Sequence, residues 1–175
     1  LSSYCVDWSD INNDGLLDAA VGNDGVNQLF INTGSGFERL DLTGSFETHA
    51  IKCGDVNNDG LPDLVTGNHG PDYFFRNLGT GHFIQVLLSS SGNTNSINLA
   101  DIDSDGTLEI ITGEDGPNHI FHYQTGGTFK KDDIPGSQST YSMISADMDL
   151  DGFPDLVEGN RDGDNRLLIN DGYGA

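Results

Sequence analysis

Side-chain oxygens recur along this chain at a spacing suited to enclosing a hard cation. In the stretch Asp55-Val56-Asn57-Asn58-Asp59-Gly60-Leu61-Pro62-Asp63, acidic or amide side chains fall on positions 1, 3, 5 and 9, and a glycine on position 6. The pattern returns as Asp10, Asn12, Asp14, Gly15 and Asp18; as Asp101, Asp103, Asp105, Gly106 and Glu109; and as Asp147, Asp149, Asp151, Gly152 and Asp155. Alternate side chains on a tightly curled backbone point inward, the glycine permits the sharp turn, and a cation wanting six to eight oxygens collects them. Position 7, held by Leu16, Leu61, Thr107 and Phe153, gives only its carbonyl in such a loop, so its side chain is free to vary. An Asx-rich turn explains Asn, Asp and Gly for local reasons, yet it asks for no oxygen at position 9. A carboxylate stands there in all four copies. Carboxylates and carbonyls suit a large, hard ion, so the set is read as Ca2+ ligands, up to four ions with one per loop.

An EF-hand is the nearest rival, and Glu158 at position 12 after Asp147 even supplies its last ligand. The other copies have Val21, Thr66 and Thr112 there, which offer no bidentate carboxylate. Short, β-branched segments follow each loop, among them Leu64-Val65-Thr66 and Ile110-Ile111-Thr112, so these loops join strands rather than helices.

The first ligands at 10, 55, 101 and 147 are separated by 45, 46 and 46 residues. Phe37, Phe83 and Phe129 keep the same beat, as do Thr48, Thr94 and Thr140. The chain therefore reads as one array over 1–175, with repeats at approximately 1–45, 46–91, 92–137 and 138–175 and no linker. Each repeat divides into four short strands. The first, such as Cys5 to Ser9 or Ala50 to Gly54, leads into the loop, and the second leaves it and ends at Gly22-Asn23, Gly67-Asn68, Gly113-Glu114 or Gly159-Asn160. The third covers Gln28 to Asn32, Tyr73 to Asn77, His119 to Tyr123 and Arg166 to Asn170. A turn such as Thr33-Gly34-Ser35-Gly36 or Leu78-Gly79-Thr80-Gly81 then opens the fourth at the phenylalanine. Four strands per unit of this length predict an all-β protein, a β-propeller of four-stranded antiparallel blades.

The string from Gly54 to Asn68, followed by Asn77-Leu78-Gly79-Thr80-Gly81-His82-Phe83, resembles the FG-GAP or VCBS-type repeat of integrin α-subunit-like β-propellers. The resemblance covers all four repeats, with loop, glycines and phenylalanine in phase. It implies secreted or cell-surface modules, often seven-bladed, that bind calcium between the first two strands of a blade. It further implies adhesion, glycan or protein binding, sometimes as an appendage to an enzyme. Repeat three departs from the pattern with Glu109, Glu114 and Tyr123, which are expected to weaken its hairpin more than its metal site. Repeat four has Ala175 where the phenylalanine is due, so its blade lacks the fourth strand. The resulting open edge invites a strand from a longer chain or from further copies of the same protein.

Composition sets further bounds. The formal charge of −21 opposes a compact state, and the loops account for fourteen of the 28 acidic residues. The seven basic residues are scattered, which excludes a nucleic-acid surface, and no apolar run reaches membrane length. Cys5 and Cys53 are too few for a disulfide scaffold; a bridge between them and two small buried thiols are both open. There is no G-x-S-x-G, P-loop, H-E-x-x-H or zinc-type Cys/His spacing, and no acid/base pair outside the loops, so a non-catalytic module is expected. His69, His82, His119 and His122 lie in or beside hairpin turns and read as solvated. Trp8, Tyr73 and Tyr141 are candidates for sugar stacking. Loops of this kind fill only where calcium is abundant, which places the protein outside the cytosol. The expected partner is a protein or glycan; the rival readings are a sugar-specific lectin and a portion of a polysaccharide-degrading enzyme.

Overall fold

The computed structural model describes residues 2–79, 81–88, 92–136 and 138–172. Leu1, Thr80 of the second hairpin turn and Ala175 lie outside the described residues. The described chain is all-β and antiparallel, arranged as successive meanders. The first comprises β1 (Ser3–Ser9), β2 (Asp18–Gly25), β3 (Gln28–Asn32) and β4 (Phe37–Asp41). The second comprises β5 (Phe46–Gly54), β6 (Asp63–Asn68), β7 (Asp72–Asn77) and β8 (Phe83–Leu88), and the third β9 (Thr94–Ala100), β10 (Glu109–Glu114), β11 (His119–Gln124) and β12 (Thr128–Asp133). The fourth has β13 (Thr140–Ala146), β14 (Asp155–Asn160) and β15 (Arg166–Leu168). In each meander neighbours in sequence are neighbours in the sheet, and a short β2–β5 ladder, Asp24 with Glu47 and Gly25 with Phe46, ties the first two together.

The second strands carry consecutive apolar residues, and in the second and third sheets both faces are covered. Successive side chains point to opposite faces, so Leu64 and Val65 enter different layers. Leu64 packs with Ala20, Leu29, Ile51 and Phe75 between the first and second sheets. Val65 packs with Phe74, Ile97, Ile110 and Phe121 between the second and third. Ile111, Met143 and Leu156 fill the layer between the third and fourth. Each buried Leu, Ile or Phe contributes about 1.5–3 kcal/mol, so these layers are what hold sheet to sheet. The first strands β1, β5, β9 and β13 pack side by side while the fourth strands splay apart, which makes the stack a fan. Among the described residues its two outer faces carry apolar side chains without a covering sheet. Val6 is 64% exposed where its counterparts Ile51, Ile97 and Met143 are each 3%, and on the far side Ile144 is 60% exposed and Leu167 51%.

A buried polar belt runs through the same layers at the ends of the sheets away from the loops. Asn27 Nδ2 donates to Thr48 Oγ1 (2.8 Å), which donates to Asn68 Oδ1 (2.6 Å). Thr94 Oγ1 donates to Asp72 Oδ2 (2.6 Å), and Asn118 Nδ2 donates to Thr140 Oγ1 (2.8 Å), which donates to Asn160 Oδ1 (2.8 Å). The threonines of the 46-residue beat are thus the links by which each repeat receives the turn of the one before. Gly67 and Gly113 leave room for them: a Cβ on Gly67 would stand 2.5 Å from the Thr94 methyl and one on Gly113 2.9 Å from that of Thr140.

The first strands begin earlier than periodicity indicates, at Ser3, Phe46, Thr94 and Thr140, because each absorbs a bulge. The ladders skip Tyr4, His49, Asn95 and Tyr141, one residue at the same place in every repeat. Cys5 and Cys53 are free thiols packed at the layer between the first two sheets, so no bridge joins them. Burial pushes the Cys5 thiol up to about 11 and the Cys53 thiol up to about 12. Among the described residues no helix is long and apolar enough to cross a membrane.

Candidate metal centres

The four loops link the first and second strands of each meander, β1–β2, β5–β6, β9–β10 and β13–β14, and lie along one end of the fan. They share a backbone. Position 6 is left-handed in each (Gly15 φ 88°, Gly60 87°, Gly106 89°, Gly152 99°), as is position 4 (Asn13 57°, Asn58 57°, Ser104 58°, Leu150 66°). Glycine tolerates this conformation and asparagine adopts it readily; an ordinary side chain costs about 1–2 kcal/mol there. Ser104 and Leu150 are the two that are neither, and Leu150, 86% exposed, is the bulkier. Leu150→Asn is therefore expected to stabilise the protein by about 0.5–1 kcal/mol, read as a higher denaturation midpoint at unchanged slope.

Within each loop the first carboxylate caps the turn. Asp10 accepts from the backbone N–H of Asp14 (2.9 Å) and Gly15 (2.7 Å), and Asp55 from Asp59 (3.0 Å) and Gly60 (2.8 Å). Asp101 and Asp147 repeat the arrangement with Asp105 and Gly106, and with Asp151 and Gly152. Position 5 accepts from the backbone N–H of position 7, as in Asp14 with Leu16 and Asp59 with Leu61, and likewise Asp105 with Thr107 and Asp151 with Phe153. Position 3 turns toward the same centre: the Oδ1 atoms of Asn12, Asp103 and Asp149 accept from the N–H of position 5. Adjacent loops are tied together, with Asn13 Nδ2 donating to the Gly60 carbonyl at 2.8 Å and Asn58 Nδ2 to that of Gly106 at 3.5 Å.

In the third and fourth loops the first three acidic side chains converge. One oxygen from each of Asp101, Asp103 and Asp105 lies within 4.8 Å of the others, and Asp147, Asp149 and Asp151 do the same. Like charges so close favour protonation, and the carboxyl of Asp149 is raised by loss of solvation and by its acidic neighbours. In the second loop Asn57 Oδ1 is buried without a hydrogen-bond partner among the described residues. A buried amide oxygen with no donor is costly unless a cation meets it. The residues present thus fit a calcium ion: Asp55, Asn57, Asp59 and the Leu61 carbonyl would hold it, and its charge would offset the crowded carboxylates.

Position 9 is set apart from the rest. Asp18, Asp63, Glu109 and Asp155 are buried, and each accepts the backbone N–H of position 2, from Ile11, Val56, Ile102 and Met148. Three of them accept a second N–H, from Asn32, Asn77 and Asn170 at the far end of the third strand. These carboxylates pin loop to sheet, a role that spacing alone does not show. Burial pushes the carboxyls of Asp63 and Glu109 up to about 7.

The asparagines at the end of the third strand are a further element that spacing does not reveal. Asn77 Nδ2 donates to the Ile11 carbonyl of the preceding loop (2.8 Å), and Asn170 Nδ2 to that of Ile102 (2.7 Å). Tyr123 replaces this staple in repeat three and instead packs edge-on to Phe129 in the core. The hairpin of that repeat keeps its ladder. Glu114 accounts for this, accepting from Thr112 Oγ1 (2.7 Å) and pairing with His119 Nδ1 (2.7 Å). His119 is therefore buried rather than solvated, and His122 is half-buried on β11 facing the third loop. Glu158 points away from the fourth loop to Arg166 Nε (2.6 Å), which removes the EF-hand reading. Of the aromatic candidates, Trp8 is 71% and Tyr141 54% exposed, whereas Tyr73 packs between Phe46 and Phe75.

A profile of the FG-GAP-like repeat matches residues 10–66, 55–112 and 101–158, each match running from the first ligand of one loop to position 12 of the next. No curated protein matches the chain. Among solved structures, a lectin from Agrocybe aegerita, described for specific recognition of non-reducing terminal N-acetylglucosamine, matches 97% of this chain with TM-score 0.66 and 19% identity. BBS1N, in a complex with ARL6DN, matches 98% with TM-score 0.67 and 14% identity. The Tc holotoxin pore of Photorhabdus luminescens matches 93% with TM-score 0.53 and 21% identity. The chain spans 50% of the lectin and 56% of the BBS1N chain.

Proposed function

We propose that this chain, which belongs to the FG-GAP-like repeat family, is a calcium-stabilised binding module without catalytic activity, acting outside the cell on a glycan or a protein surface. The observation that carries the reading is the shared left-handed geometry of the four loops, with acidic side chains converging in the third and fourth. Such loops bind calcium with Kd on the order of 10⁻⁴ to 10⁻³ M in extracellular modules, which suits calcium outside cells. The fan of sheets, narrow at the first strands, supports a finer description of them as blades of a propeller. A glycan ligand is favoured over a protein one by the likeness to a lectin fold and by the exposed rings of Trp8 and Tyr141. An array of glycans probed with and without calcium tests the proposal. Retention on a defined terminal sugar that is lost on chelation is expected. Turnover of a bound glycan would contradict it, and binding to none of them would contradict the preference for a glycan over a protein surface.

A further inference from the structure

Repeat three differs from its neighbours at two places that face one another. Position 9 is glutamate, Glu109, and the third strand carries His122 where Ile31, Arg76 and Ile169 stand in the other repeats. Glu109 is 1% exposed. Its Oε2 accepts the Ile102 N–H at 3.0 Å, while Oε1 makes no hydrogen bond among the described residues and lies 3.6 Å from His122 Nδ1. Asp103 Oδ2 lies 3.7 Å from the same nitrogen. One donor atom from each of Asp103, Glu109 and His122 falls within 4.8 Å of the other two. Separations of 3.6 and 3.7 Å are those of adjacent ligands around an ion about 2.0–2.6 Å away, a range that zinc and calcium share, so the ligand type rather than the spacing distinguishes them.

The far side of the ring is arranged to match. His122 Nε2 lies 3.3 Å from Asp132 Oδ2, and Lys130 Nζ holds Asp132 at 2.7 Å. A carboxylate on one ring nitrogen fixes the tautomer and leaves the lone pair of the other aimed at the ion, as metal-bound histidines require. The chain has one other histidine cluster of this kind among the described residues, Glu47, His49 and His69, but there the rings stack at 3.8 Å and 6°. In-plane lone pairs of stacked rings lie in parallel planes and do not converge.

We propose that the third loop selects a zinc-class transition dication over calcium, binding it through His122 Nδ1, Asp103 and the buried carboxylate of Glu109, with Asp132 orienting the imidazole. Imidazole nitrogen is a ligand for such ions and not for calcium, so selectivity follows from one side chain. The inference rests on reading the loops as cation sites and changes the ion at one of them.

Calorimetric titration of the full chain with zinc, in calcium at about ten times its Kd, tests this. One tight zinc per chain is expected. Asp132→Asn should weaken it about 10–100-fold, and His122→Gln at least as much, while the double variant His49→Gln, His69→Gln leaves it unchanged. Cobalt in place of zinc should give visible ligand-field bands that the His122→Gln protein lacks. Zinc that calcium displaces, or zinc binding unaltered in both the His122 and Asp132 variants, overturns the proposal. Were zinc to bind as described while no loop took calcium, the calcium reading would fall and this one stand.

Discussion

Chelation and dialysis are expected to lower the melting temperature of the chain by about 8–16 °C at neutral pH. A free ion at about ten times Kd adds roughly 1.4 kcal/mol per occupied site, and the three calcium-selective loops together add roughly 4 kcal/mol. In a protein of this size each kcal/mol moves the midpoint by about 2–4 °C. The metal-free protein should also respond to pH in an unusual direction. Asp63 and Glu109 hold their protons up to about pH 7 in the folded chain, whereas unfolding returns them to the ordinary range near 4. Between those values the folded state binds more protons than the unfolded one, so stability falls as pH rises from about 4 to 7. Bound calcium supplies the compensating charge instead of protons and offsets that decline. Scanning calorimetry at pH 5 and pH 8, with calcium and with chelator, checks both statements; equal midpoints in calcium and chelator at pH 8 would contradict them.

Two aspartates of one loop are expected to separate metal binding from folding. Asp63 is fully buried and accepts the Val56 N–H at 3.2 Å and the Asn77 N–H at 2.8 Å. Asp63→Ala leaves both donors inside the protein without an acceptor, at about 1–3 kcal/mol each, a large fraction of a typical domain's stability. The loss should persist in chelator. Asp59 is exposed and, among the described residues, accepts only the Leu61 N–H, at 3.0 Å. Asp59→Ala should cost less than about 1 kcal/mol without metal, because a surface hydrogen bond exchanges with water. Urea unfolding of both variants in chelator is the measurement; equal destabilisation would show that position 9 does not pin loop to sheet.

The contrast between these residues marks how far sequence alone could reach. Asp55, Asn57 and Asp59 were legible because their partners lie within a few residues, so spacing reports geometry directly. The structural duty of Asp63 was not, since Asn77 is fourteen residues away and on another strand. Thr48, Thr94 and Thr140 stood out as a periodic landmark, but their bonds to Asn68, Asp72 and Asn160 join different strands or repeats. The bulges at Tyr4, His49, Asn95 and Tyr141 were hidden for a related reason. A bulge is a property of a pair of strands, and alternation along one strand does not record it. His119 and His122 misled because histidine near a turn is usually solvated. The clue was available in the coincident substitutions of repeat three, where Glu109 and Glu114 each acquire a histidine partner.

The central claim, that these loops are calcium sites, is tested most directly by equilibrium dialysis of the chelated chain and its Asp59→Ala and Leu61→Ala variants, with bound calcium counted by atomic emission. The account predicts an ion in each calcium-selective loop of the wild type, one fewer in Asp59→Ala, and no change in Leu61→Ala, whose side chain takes no part. A wild-type chain that retains no calcium, or an Asp59→Ala chain that retains as much as Leu61→Ala, would contradict it.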